Sequence, residues 1–232
     1  MVRAAAAIIA SLALPLETTR AGDEACGGGY PVKVSVNAFP LEPINFDLAK
    51  TIGELTQLSN EAAEPTIHYK GPALGFYRAN AGFTYSVKAD GHGLATGGVC
   101  VVLKAIDIQF GIKTRHIMVA REIQDKPCIR EFVLAHEHRH VATDQAVLSL
   151  YLSYLHAVLT FELSDGFAVG ARAPNEARRL LKETVDQRLQ RAIKEFSSAR
   201  ARAQLRVHAA NDEQSLEEMC GEATRQMLES IR

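Results

Sequence analysis

Beyond the first 21 residues the chain has no apolar run long enough to cross a bilayer, so no integral membrane segment is expected there. No basic block precedes Arg178 and the net charge is −1, which argues against a nucleic-acid partner. Internal repeats and low-complexity tracts are absent. The four cysteines have no zinc-ribbon spacing. The most informative absence is local: from Cys128 to Asp165 there is neither glycine nor proline, and Pro127 stands where a first-turn proline belongs. That predicts a long uninterrupted helix, with Asp125 just upstream to help cap it.

What is present begins with an export signal. Met1-Val2-Arg3 is a short basic start, Ala4 to Leu16 is apolar, and Thr19-Arg20-Ala21 is a small-residue cleavage site. Residues 1–21 therefore read as a signal peptide, and the mature chain is expected in the periplasm or secreted from a bacterium. Asp23-Glu24-Ala25 is the wrong chemistry for lipid attachment at Cys26. An even cysteine count in an exported chain favours two disulfides, with three possible connectivities. The preferred pairing is Cys26–Cys100 within the N-terminal half and Cys128–Cys220, tying the start of the long helix to the last one.

The helix carries His136-Glu137-x-x-His140. This spacing sets two imidazoles one turn apart on one face with a carboxylate between them. Two neutral imidazoles so placed can share a tetrahedral Zn²⁺, leaving room for a third protein ligand and a water. Glu137 is then the general base for that zinc-bound water. On a helical wheel Ile129, Phe132, Val133, Val147, Tyr151 and Val158 form an apolar stripe, and His136, His140 and Asp144 fall inside it. His138 and Arg139 point toward solvent.

Residues 22–125 have β texture. Val32 to Val36, Phe83 to Lys88 and His116 to Val119 alternate, and Val101 to Phe110 also reads as a strand. Asn45 to Gln57 is a candidate short helix. Gly91-His92-Gly93 and Gly97-Gly98 mark loops or turns. Two long strands are expected to meet in a hairpin at Phe110-Gly111-Ile112-Lys113, the second running toward the metal helix with an edge free for an extended substrate. His68, His92 and His116 read as surface or strand histidines. Residues 126–232 form the helical region. A second long helix runs from about Asn175 to His208, with Val185, Leu189, Ala192, Phe196, Ala199 and Ala203 on its packed side and arginines solvated on the other. A last helix starts near Asn211-Asp212. The expected fold class is α+β: an N-terminal antiparallel β region, then a long-helix hairpin carrying the metal motif, then a C-terminal helix, acting as one catalytic unit.

The third metal ligand is open among three carboxylates. Asp144 follows His140 by one turn, which suits an acceptor orienting an imidazole better than a ligand. Glu176 lies roughly 30 Å up a symmetric helix hairpin from the histidines. Glu195 falls opposite His140 to Asp144 in that hairpin and leads. Tyr151 and Tyr154 are candidate donors to an oxyanion.

The motif on a helix preceded by β structure resembles the zincin metallopeptidases. The metzincin pattern fails, since Thr143 and Ala146 replace its glycine and third histidine. The stretch from Met118 through Cys128 to His140-Val141 looks more like uncharacterised bacterial families of predicted secreted zinc-dependent proteases. The resemblance implies Zn²⁺, His136 and His140 as ligands and Glu137 as base. The expected function is an exported zinc-dependent hydrolase acting on a peptide or protein. The alternative is a non-catalytic metal-binding envelope protein with a helical interaction module.

Overall fold

A computed structural model describes Cys26 and residues 30–62, 71–95, 97–208 and 212–231. The expected signal peptide, 1–21, lies outside the described residues, as do His68 and Asn211.

The molecule is built along β4 (Val99–Val119), a strand of 21 residues. β3 (Gly75–Gly93) runs antiparallel beside it from end to end and takes one whole edge. The other edge is shared in succession by three short strands. β5 (Ala168–Ala171) pairs antiparallel with 99–102, β1 (Lys33–Ala38) parallel with 105–110, and β2 (Asn45–Asp47) parallel with 116–118. The sheet is thus mixed, which corrects the expected antiparallel N-terminal region. Alternation identifies a strand but not its direction. Here α1 (Ile52–Ala62) and the outgoing β3 intervene, a connection long enough for parallel pairing with the returning β4. β5 also brings into the sheet a segment of the region expected to be helical.

The expected hairpin at Phe110–Lys113 is not there: β4 continues through it. The register with β3 skips Lys104 and Lys113, making each the extra residue of a β-bulge. The buried series Ile106, Ile108, Phe110, Ile112 accordingly resumes at Arg115, Ile117, Val119. That break in alternation reads as a turn in sequence. Gly111 has φ +116°, and a Cβ there would collide with the Leu148 side chain. The glycine admits a helix against the strand. The actual hairpin turn lies at Leu94 to Gly98, where Gly97 and Gly98 have positive φ.

α1 begins later than expected, because Asn45–Asp47 belong to β2. It opens with a capping box: Thr51 Oγ1 accepts the Glu54 N–H and Glu54 Oε2 accepts the Thr51 N–H. After a 3₁₀ turn at Arg121–Ile123 comes α2 (Pro127–Glu162), 36 residues long with Pro127 in its first turn. Asp125 does not cap it; its carboxylate takes the Lys126 ammonium. α3 (Pro174–His208) packs beside α2. The single last helix expected is two, α4 (Asp212–Cys220) and α5 (Glu222–Ile231), parted at Gly221 with φ +65°.

Two large apolar cores and a small cluster around Cys26, Cys100 and Val102 result among the described residues. One lies between β4 and the α2/α3 pair, with Ile106, Ile108, Phe110, Leu155, Leu189 and Phe196. The other joins the end of β4 to the start of α2, α1 and α4 through Ile117, Val119, Leu55, Ile129 and Leu216. Each large side chain so enclosed contributes about 1.5–3 kcal/mol. Both disulfides of the preferred pairing are present, Cys26–Cys100 and Cys128–Cys220, and no cysteine is free. Among the described residues no helix is long and apolar enough to cross a membrane.

Candidate metal centre

The histidine motif lies on α2 between the two cores. Glu137 and His140 are buried, Asp144 is fully enclosed, and His136 is half-buried. The core-facing stripe is therefore centred nearer Glu137 than the wheel suggests, while His138 and Arg139 are exposed as expected. His136 Nε2 and His140 Nε2 stand 3.0 Å apart. In a tetrahedral site with ordinary zinc–nitrogen bonds the same two atoms would be about 3.3 Å apart. The pair fits a shared metal with an opening of a few tenths of an ångström.

The other ring nitrogens fix the tautomers. Gln204 of α3 donates its amide to the His140 carbonyl at 3.0 Å and to Asp144 Oδ1 at 2.5 Å. Its Oε1 must therefore accept from His140 Nδ1, 2.5 Å away, leaving the Nε2 lone pair of His140 available. Arg139 can only donate, and its guanidinium lies 2.9 Å from His136 Nδ1. His136 thus carries its proton on Nε2 and gives it to His140. Ligation by both rings requires that proton to move to Nδ1 and Arg139 to turn away.

Asp144 closes the network. It accepts from Arg200 Nε at 2.6 Å, from Gln204, and from the Tyr77 hydroxyl at 2.8 Å. The Tyr77 ring also stacks on His140, 6.1 Å between centroids. Burial, then the neighbouring Asp144 carboxylate, pushes the Tyr77 phenol above its ordinary value, so it remains a donor. Arg200 reaches on to the Ala79 carbonyl, tying α2, α3 and β3 together. Glu137 lies against the first residue of β3: a Cβ on Gly75 would come within 2.5 Å of Glu137 Oε1 and 2.6 Å of Val133 Cγ1. Only glycine lets the strand settle on that carboxylate.

Two of the three carboxylates considered as third ligand lie elsewhere. Glu195 accepts from Tyr151 at 3.3 Å, about three turns along α2 from His140. Glu176 is exposed at the start of α3 and accepts the Arg172 N–H. Asp144 is the acceptor that reaches His140 through Gln204. Among the described residues no group of three His, Cys, Asp or Glu side chains is gathered as a metal site. Tyr151 donates to the Ala192 carbonyl and stacks on Phe110 within the first core, away from the imidazoles. Tyr77, Arg200 and Gln204 are the site residues that sequence reading misses. The three-four spacing of Val185, Leu189, Ala192 and Phe196 continues through Ala199 and Ala203, so Arg200 and Gln204 fall beside the apolar face and that pattern does not mark them. Tyr77 has no signal either. Compared with known proteins, the chain matches no family model, and no curated protein or solved structure matches it significantly.

Proposed function

We propose that this chain is an exported zinc-dependent hydrolase of peptides or proteins, with His136 and His140 as metal ligands and Glu137 as general base. The observation that carries this is the convergence of the two Nε2 atoms beside a buried glutamate one residue on. Bound Zn²⁺ would supply a Lewis acid and make a water more acidic. Glu137 takes the proton, its carboxylate lying close against Gly75 at the start of β3. Gln204 holds His140 in the tautomer that presents Nε2. Tyr77, protonated, stacks on His140 and donates its hydroxyl to Asp144.

A peptide substrate is supported by the sheet edge. β4 is covered on both sides, so it offers no edge; β3 pairs with β4 alone among the described strands. Its outer edge, starting at Gly75 over Glu137, can receive an extended chain. Two disulfides and the lack of a membrane-crossing helix among the described residues accord with the periplasm or the medium. A second reading is metal binding without turnover in the envelope, with His140 held by Gln204, itself anchored on Asp144, as a structural ligand would be.

Metal analysis of the purified protein and a peptide-library cleavage screen decide between them. One zinc per chain is expected, abolished by His136→Ala or His140→Ala. Glu137→Gln should keep the zinc and lower turnover by about two to four orders of magnitude. Zinc retained in the double histidine variant would place the metal elsewhere. Full turnover in Glu137→Gln would remove the base, and zinc with no cleavage in the parent would leave the second reading.

A further inference from the structure

One face of α2 serves neither core. From Gln145 to Phe161 the helix has no Asp, Glu, Lys or Arg. Ala146, Leu150, Tyr154, Ala157 and Phe161 fall on one line there, opposite the buried Leu148, Leu155 and Leu159, and all five are exposed. Leu150 is 76 % and Phe161 81 % accessible. A single exposed leucine is ordinary, but a continuous apolar line over four turns marks a contact surface.

We propose that a second copy of this chain covers it, in a two-fold dimer with the two α2 helices antiparallel. Place the dyad between Ser153 and Tyr154. Ala146 then faces Phe161 of the second copy, Leu150 faces its Ala157, and Ser153 faces its Tyr154. A small side chain meets a large one at every level, so the stripe is complementary to itself in this register. Charge points the same way. A two-fold interface opposes groups to their own copies near the axis, where like charges would repel. This segment carries none. An acidic polymer, a lipid headgroup or a charged peptide would be held by fixed charge, and the stripe offers none. The acidic neighbours of Tyr154 are both engaged, Glu195 of α3 with the Tyr151 hydroxyl and Glu162 with the Arg188 guanidinium. The candidate metal centres would lie roughly 40 Å apart, at opposite ends of the helix pair.

The test is sedimentation equilibrium of the purified chain with its disulfides intact. The parent should show the mass of two chains, and Leu150→Glu should halve it with unchanged circular dichroism. Adding Ala157→Lys to Leu150→Glu sets opposite charges at both facing positions and should restore the dimer. A parent that is monomeric at every concentration, a dimer that survives Leu150→Glu, or a double variant that stays monomeric overturns the proposal. So would a monomer that instead partitions onto phosphatidylcholine vesicles.

Discussion

Asp144 of α2 and Arg200 of α3 meet at 2.6 Å, the carboxylate wholly enclosed and the guanidinium about one-fifth exposed. The contact sets the register of the two long helices. A symmetric hairpin would bring residue 140 opposite 197, whereas His140 lies opposite Gln204, two turns further on. The connection between α2 and α3 contains β5, which carries the chain past the end of α2 before it turns back. That offset moves Glu195 to Tyr151 and brings Gln204 to the imidazole.

Removing Asp144 should therefore act on the fold and removing Gln204 on the site. Asp144→Ala leaves Arg200 without its counter-charge and should cost about 3–5 kcal/mol in urea unfolding. Gln204→Leu should cost less, but by releasing His140 Nδ1 it should weaken zinc about ten- to a hundredfold in chelator competition. Equal metal affinity in parent and Gln204→Leu would show that the amide does not orient the ring.

Gly75 gives a narrower test of how β3 meets Glu137. Gly75→Ala puts a methyl group into the carboxylate and Val133, and should lower stability by about 1–3 kcal/mol. Part of that loss should return when Glu137→Ala is added, read as a coupling in a double-mutant cycle of thermal unfolding. Strict additivity would mean that strand and carboxylate are not in contact.

The covalent framework can be tested directly. Unreduced protein unfolded in denaturant should show no reactive thiol, since all four cysteines are paired. Replacing Cys128 and Cys220 by serine opens a loop of 92 residues and should cost about 4–5 kcal/mol. Because that bridge joins the start of α2 to the end of α4, the double variant should also bind zinc more weakly. Unaltered unfolding and metal affinity would make the bridge incidental.

How much of this could be read beforehand follows from what each pattern encodes. Prolines mark the starts of both long helices, Pro127 and Pro174, to within about a residue because a breaker is a local property, whereas α2 ends at Glu162, short of the glycine-free limit at Asp165. The disulfide pairing was legible because the halves of the chain constrain which cysteines are near. Strand direction was not, since alternation is identical for parallel and antiparallel partners. Nor was the continuity of β4: a bulge at Lys113 and a turn there interrupt alternation alike. Arg200 and Gln204 lie beside an apolar stripe that runs through Ala199 and Ala203, and their meaning appears only with Asp144 opposite. Tyr77 arrives at His140 only through the pairing of β3 with β4.

The disulfides join the first cysteine to the second and the third to the fourth. Their loops follow one another along the chain without overlapping. If the polypeptide is threaded N-terminus first into an oxidising compartment, Cys100 meets Cys26 before Cys128 or Cys220 has arrived. Cys128 then has one partner left to wait for. Correct pairing becomes a matter of order of arrival, so an oxidase that joins cysteines as they emerge can complete the framework without an isomerase to correct it.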